Sequence, residues 1–277
     1  MRSAATAIPA APVAFSPYRV LALLLRYLYL YRSSWTRLIE LIYWPTVQMV
    51  LWGFMTQYLL TQASFLAKAS GVLISAVLLW DILYRSQLGV SLMFFEEMYA
   101  RNLGHLFVSP LRPSEMVLAL LVMSLFRTLI GVGGASLLAF YLYRFSIFSL
   151  GFPLIACFAN LLVMGWAMGL MIASIVLRWG LGAESLAWVV VFALSPLSGI
   201  YYPIDVLPEW LQVVALALPS SYVLEGMRAL MREHVFETGL LLRALVLNAV
   251  YLTLGMGVFL SMFNVARRRG LLLNMGE

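Results

Sequence analysis

The sequence predicts an all-α, polytopic membrane protein: six transmembrane helices, an N-terminal interfacial helix, and extracellular re-entrant helices between spans 5 and 6. Three observations carry this. Hydrophobic residues make up 63% of the 277 and charged residues only 11%, far from the balance of a soluble domain. Charge-free runs at 41–67, 145–177, 185–204 and 244–266 each supply the roughly 20 apolar residues that a helix needs to cross a bilayer. Two further spans, at about 69–95 and 116–143, carry internal charges: Asp81 and Arg85 in the first, Arg127 in the second.

The third observation is how the positive charges sort. With both termini cytoplasmic, the inner segments hold Arg2, Arg19, Arg26, Arg32, Arg37, Arg101, Arg112, Arg178 and the Arg267, Arg268, Arg269 cluster. The outer segments hold Lys68, Arg144, Arg228, Arg232 and Arg243, beside Asp205, Glu209, Glu225, Glu233 and Glu237. This is the positive-inside asymmetry, and it predicts that orientation. The net charge of +6 is therefore topological, and no nucleic-acid partner is expected.

In chain order, residues 1–17 are Ala- and Pro-rich without a strong apolar run and read as a disordered cytoplasmic tail, not a signal peptide. Residues 18–37 alternate Leu and Tyr with Arg19, Arg26, Arg32 and Arg37. That pattern suits a helix lying in the membrane interface with its arginines at the headgroups; the plainer alternative is the cytoplasmic start of the first span. A membrane domain follows over 38–269, and 270–277 form a second cytoplasmic tail. Within the first span Pro45 predicts a kink. Gln48 and Trp52, four residues apart, can share one inward face.

Asp81 and Arg85 are also four apart. Intramembrane charges face a cavity or pair with one another, so the two are either a bundle-stabilising pair or part of a path. Arg127 poses the same question, and contact with Asp81 is one possibility. Between spans 2 and 3 the loop mixes Glu96, Glu97, Arg101 and His105 with Leu103, Leu106, Phe107 and Leu111, and ends at Pro110 and Pro113. A short amphipathic helix at about 96–111 would offer a partner an apolar knob at helical spacing. Gly131 in the third span and the Gly165-x-x-x-Gly169 motif in the fourth mark places where backbones can meet. From within the fifth span onward the chain stays hydrophobic but is broken by Pro196, Pro203, Pro208 and Pro219. Such backbone is tolerated at membrane depth only where protein or a cavity surrounds it.

Several chemistries are missing from the sequence. It has no G-x-x-x-x-G-K-[ST] phosphate loop, so ATP binding by that device is excluded. It has no H-E-x-x-H, and the predicted topology puts His105 and His234 on opposite sides, which rules out a two-histidine metal site within one chain. It also lacks a G-x-S-x-G elbow. The single Cys157 cannot form an internal disulfide.

The order of these parts resembles the permease subunit of type-2 ABC exporters, the group handling drugs, lipo-oligosaccharides and polysaccharides. Three stretches carry the likeness: Arg101 to Glu115 with its Pro110-Leu111 pair, Leu197 to Trp210, and Leu218 to Arg228. It extends over about 18–269. The resemblance implies a multi-pass protein of the bacterial inner membrane that forms a dimer with a second copy or a related permease. It also implies two copies of a cytoplasmic ATPase that carries the ATP and Mg, with no cofactor on this chain. Glu97, Arg101, Asn102, Leu103, His105, Leu106, Phe107, Pro110 and Leu111 would form the coupling helix that docks the ATPase. Gln48, Trp52, Asp81, Arg85 and Arg127 would line the transport path. Tyr201, Tyr202, Pro203, Asp205, Pro208, Trp210, Pro219 and Tyr222 would form the extracellular gate, re-entrant over about 201–222. The cargo would be an amphipathic or lipid-linked molecule, surrounded by membrane lipid. The competing classes are a secondary transporter, which would call for an internal repeat or ion relay, a membrane-embedded enzyme, which would call for convergent catalytic groups, and a purely structural membrane subunit.

Overall fold

A computed structural model describes residues 15–62, 67–144, 146–233 and 235–268. Of the expected tails, residues 1–14 of 1–17 and all of 270–277 lie outside the described residues, as do Arg269, the side chain of Lys68, and His234. Among those described, the chain is helical: α1 (Pro17–Arg32), α2 (Trp35–Gln62), α3 (Ala67–Tyr99), α4 (Leu103–Val108), α5 (Pro113–Tyr143), α6 (Phe152–Trp179), α7 (Leu186–Leu197), α8 (Glu209–Leu216), α9 (Pro219–Glu233) and α10 (Thr238–Arg268).

Five of these helices are long and apolar enough to cross a membrane: α2, α3, α5, α6 and α10. The α8–α9 pair, bent by 97° at its break, makes a sixth if taken as one span. The stretch 185–204, expected as the fifth span, is α-helical only as far as Leu197. At 12 residues α7 rises about 18 Å, short of the roughly 30 Å hydrocarbon core. Gly199, at φ +70°, turns the chain through a conformation that glycine adopts freely, and helical structure resumes only as the short 3-10 turn Ile204–Val206 after Pro203. Pro45 lies inside α2, which continues through it.

The hub is α3, with 89% of its apolar window buried, whereas α10 is only 17% buried and keeps a broad outer face. Close approach to α3 is made possible by the small residues of α6. A β-carbon on Gly165 would stand 2.8 Å from the Leu83 carbonyl oxygen, and one on Gly169 would stand 2.9 Å from the Gln87 carbonyl. The weak-looking G-x-x-x-G motif is thus the seam between α3 and α6. Gly255 does the same for α10 against Ala167 of α6, at 2.8 Å. Polar residues then fix register. Ser124 Oγ of α5 donates to the Ser86 carbonyl at 2.8 Å. Asn248 of α10 donates to both the side-chain and main-chain oxygens of Asn160 on α6, at 3.0 and 2.9 Å.

Candidate functional site

Three regions hold the residues singled out by sequence. The first is the end of the bundle where α3 turns through α4 into α5. Arg101 makes that turn at φ +50°, a left-handed conformation uncommon for a side-chain-bearing residue. The N–H of Asn102 then returns to the Glu97 carbonyl at 3.0 Å.

Two buried carboxylates tie this turn to α1. Glu97 accepts from Arg26 Nη2 at 2.9 Å and from Asn102 Nδ2 at 2.8 Å. Glu115 accepts from Arg19 Nη2 at 2.6 Å and Nε at 2.9 Å, from the Ser16 N–H at 2.8 Å, and from the Arg112 N–H at 2.9 Å. A carboxylate in the first turn of α5 complements the helix dipole as well as its charged partner. The hydrogen bond to Glu115 pushes the Arg19 pKa up. Burial, reinforced by the Glu97 carboxylate, keeps the Tyr27 phenol protonated. Arg37 pairs with Glu96 at 3.3 Å. The basic residues of α1 therefore do more than face headgroups: Arg19 and Arg26 reach α5 and α3. The sequence shows the arginines, but not which acids they meet.

Within the expected coupling segment, the side chains divide. Leu103 is 1% exposed and belongs to the core, so it is not an outward knob. Glu97 is likewise buried. Arg101, His105 and Pro110 are exposed, while Asn102, Leu106 and Leu111 are half-buried. The Phe107 side chain lies outside the described residues. The helix itself runs Leu103–Val108, shorter than the expected 96–111, because residues up to Tyr99 continue α3.

The second region is a groove lined by Glu40 and Trp44 of α2, Tyr84 and Arg85 of α3, Arg127 of α5 and Trp188 of α7. Arg85 Nε hydrogen-bonds Asp81 Oδ2 as an i,i+4 pair. No contact between Arg127 and Asp81 is seen. Arg127 instead lies over the Tyr31 ring of α1, its guanidinium carbon 5.3 Å from the centroid, a cation–π geometry. Gly131 makes room for Arg85: a β-carbon there would stand 2.7 Å from Arg85 Cδ.

The third region is the opposite end. Trp52 of α2 stacks on Tyr201, with centroids 5.0 Å apart. Gln48, one turn earlier, is half-buried, so the expected path residues split between the groove and this end. Tyr202 donates to the Pro196 carbonyl at 3.0 Å. The N–H of Ile204, next to Pro203, reaches Glu225 of α9 at 3.0 Å, and Arg228 shares that carboxylate at 2.8 Å. Ser198 and Ser220 are bonded at 2.8 Å. Pro219 is buried, Tyr222 packs against the core, and Asp205, Pro208 and Trp210 are exposed. The turn after α7 is thus pinned to α9, and the bent helices occupy 209–233 rather than the expected 201–222. Helical spacing says nothing about which loop a polar side chain meets, so neither the serine pair nor the contact of Glu225 with the turn is legible in the sequence.

A helical bundle with five or six helices able to cross a membrane, and charge buried among them, defines a multi-pass membrane protein. The chain matches the ABC-2 type transporter family over residues 19–231 and belongs to it. The family comprises transmembrane permease subunits of ABC transporters. No curated protein gives a significant match.

Proposed function

We propose that the chain is the membrane subunit of an ATP-driven exporter, moving an amphipathic or lipid-linked molecule, such as a glycolipid, polysaccharide or drug, out of the cytoplasm or inner leaflet. The observation that supports it most is the α4 turn of an ABC-2 chain: exposed at Arg101, His105 and Pro110, yet braced from behind by Arg26–Glu97 and Arg19–Glu115. A surface that must transmit a push needs rigid backing. In this reading a cytoplasmic ATPase, two copies per complex and carrying ATP and Mg, docks on Arg101, His105, Leu106, Pro110 and Leu111. Glu97, Asn102 and Leu103 hold the turn in place. A second permease, identical or related, completes the pair. The protein lies in the bacterial inner membrane among its lipids, with both termini cytoplasmic.

Nucleotide binding drives such a machine only by its differential affinity for two conformations. Gln48, Trp52, Asp81, Arg85 and Arg127 contribute to the path, and the Tyr201–Tyr222 segment contributes to the outer gate. Pro45, Pro196 and Pro203 sit where the walls would bend. The test is co-purification with the ATPase encoded beside this chain, followed by flux in proteoliposomes. His105→Glu and Leu106→Asp should abolish substrate-stimulated ATP hydrolysis while leaving the helical content intact. Uphill flux by this chain with no ATPase present would overturn the reading.

A further inference from the structure

Arg85 and Arg127 project into one membrane-embedded groove with hydrogen-bonding capacity left over. Arg85 has a side chain only 9% exposed. Its Nε is taken by Asp81, but its Nη2 is buried without a partner, as is Nη1 of Arg127. Buried donors left unmatched are rare and call for an explanation, all the more in a bilayer, where no bulk water competes.

The buried carboxylate Asp81, whose Oδ1 also has no partner, lies outside the groove lining and occupies only Nε of Arg85. Glu40, the one acid among the lining residues, is exposed. Glu96, paired with Arg37 at 3.3 Å, also acts on Arg127, so what the groove leaves unmet is hydrogen-bonding capacity at Arg85 Nη2 and Arg127 Nη1, a costly arrangement in a membrane unless an acceptor meets it. Planar forks with free N–H pairs match the geometry of phosphate oxygens. Around them, Trp44, Tyr84 and Trp188 supply aromatic walls, with Tyr84 and Trp188 6.2 Å apart.

We propose that the groove between α2, α3, α5 and α7 binds the phosphate-type headgroup of an anionic amphiphile through Arg85 and Arg127. This rests on placing those arginines on the path and is independent of ATPase docking. Arg85 is held by Asp81 and by the space over Gly131; Arg127 is held by Tyr31. Each keeps an N–H for the ligand. The headgroup belongs either to a lipid or to a free phosphate compound.

The test uses the full chain, purified in a neutral detergent without any ATPase. Native mass spectrometry would compare retention of dioleoyl phosphatidylglycerol with that of dioleoyl phosphatidylcholine. The expected result is preference for phosphatidylglycerol, with Arg127→Gln weakening it about tenfold, the loss of one charge-assisted hydrogen bond. Arg127→Lys should restore part of it. Glu40→Gln should strengthen retention, which keeps the idea testable if Arg127→Gln folds poorly. Displacement by millimolar inorganic pyrophosphate would assign the site to free phosphate compounds; resistance to displacement would assign it to lipid. Equal retention of the two lipids, or unchanged retention in Arg127→Gln and Glu40→Gln, would overturn the proposal. That failure would leave the exporter reading standing, because no ATPase takes part.

Discussion

Trp52 lies nearly flat against Tyr201, the ring centroids 5.0 Å apart and the planes 24° from parallel. The contact joins the middle of α2 to the turn that ends α7, two elements separated by most of the chain. Tyr201 is also fixed at its hydroxyl, which accepts from Ser195 Oγ at 3.3 Å. A helix on the outside of the bundle is thereby latched to the segment that the far-end helices hold.

Breaking the latch from either side should have the same consequence. Trp52→Ala and Tyr201→Ala are each expected to destabilise the fold. Their coupling in a double-mutant cycle should be about 1 kcal/mol, as for aromatic pairs elsewhere. Thermal unfolding in detergent measures it, and additive effects would show that the stack contributes nothing.

The brace behind α4 makes a different prediction. Glu97→Ala would remove the acceptor for Arg26 and Asn102 and should lower stability by about 2 kcal/mol. Hydrogen exchange should rise at 97–112 and along α1 together, while the far end is unchanged. A rise confined to one of the two would separate them mechanically.

Size rather than charge governs the α3–α6 seam. Gly165→Val would drive a side chain into Ser86 and the Leu83 carbonyl. Neither backbone can retreat without losing its helical hydrogen bonds, so a loss of about 3 kcal/mol or failure to fold is expected. Gly257, whose β-position meets open space, is the matched control: Gly257→Ala should be tolerated. The readout is the yield of monodisperse protein.

The Asn160–Asn248 pair provides a measure of polar adhesion between α6 and α10. Asn248→Leu should cost about 1 kcal/mol, in the range seen for hydrogen bonds between membrane helices. Asn160→Leu on that background should add little, because the side-chain bond at 3.0 Å is already gone. A large second loss would mean that Asn160 acts elsewhere.

Much of this architecture is written locally. A run of apolar residues must become helix in a bilayer because the backbone has no other way to satisfy its own polar groups, and that reasoning located α2, α3, α5, α6 and α10 from the sequence. Gly165 and Gly169 marked a seam, though not that its partner would be α3. Asp81 and Arg85 were close enough along one helix to be paired by spacing alone. Leu103 was harder: its helical register is compatible with an outward knob, and only packing against α3 and α5 turns it into the core. Arg127 was open for the same reason, since its choice of Tyr31 over Asp81 depends on how α1 lies along α5.

The sequence by itself determined that this chain spans a membrane as helices, where those helices run, where glycine permits close contact, and which family it belongs to. Tertiary structure alone decided that Arg19 and Arg26 brace the turn around α4, that the turn after α7 is pinned to α9, and that Arg85 and Arg127 share a groove. The division follows from the forces involved. Burial in lipid acts on each segment regardless of its neighbours, whereas a buried charge finds its lowest energy only in a specific partner, and that partner is chosen by how the helices pack.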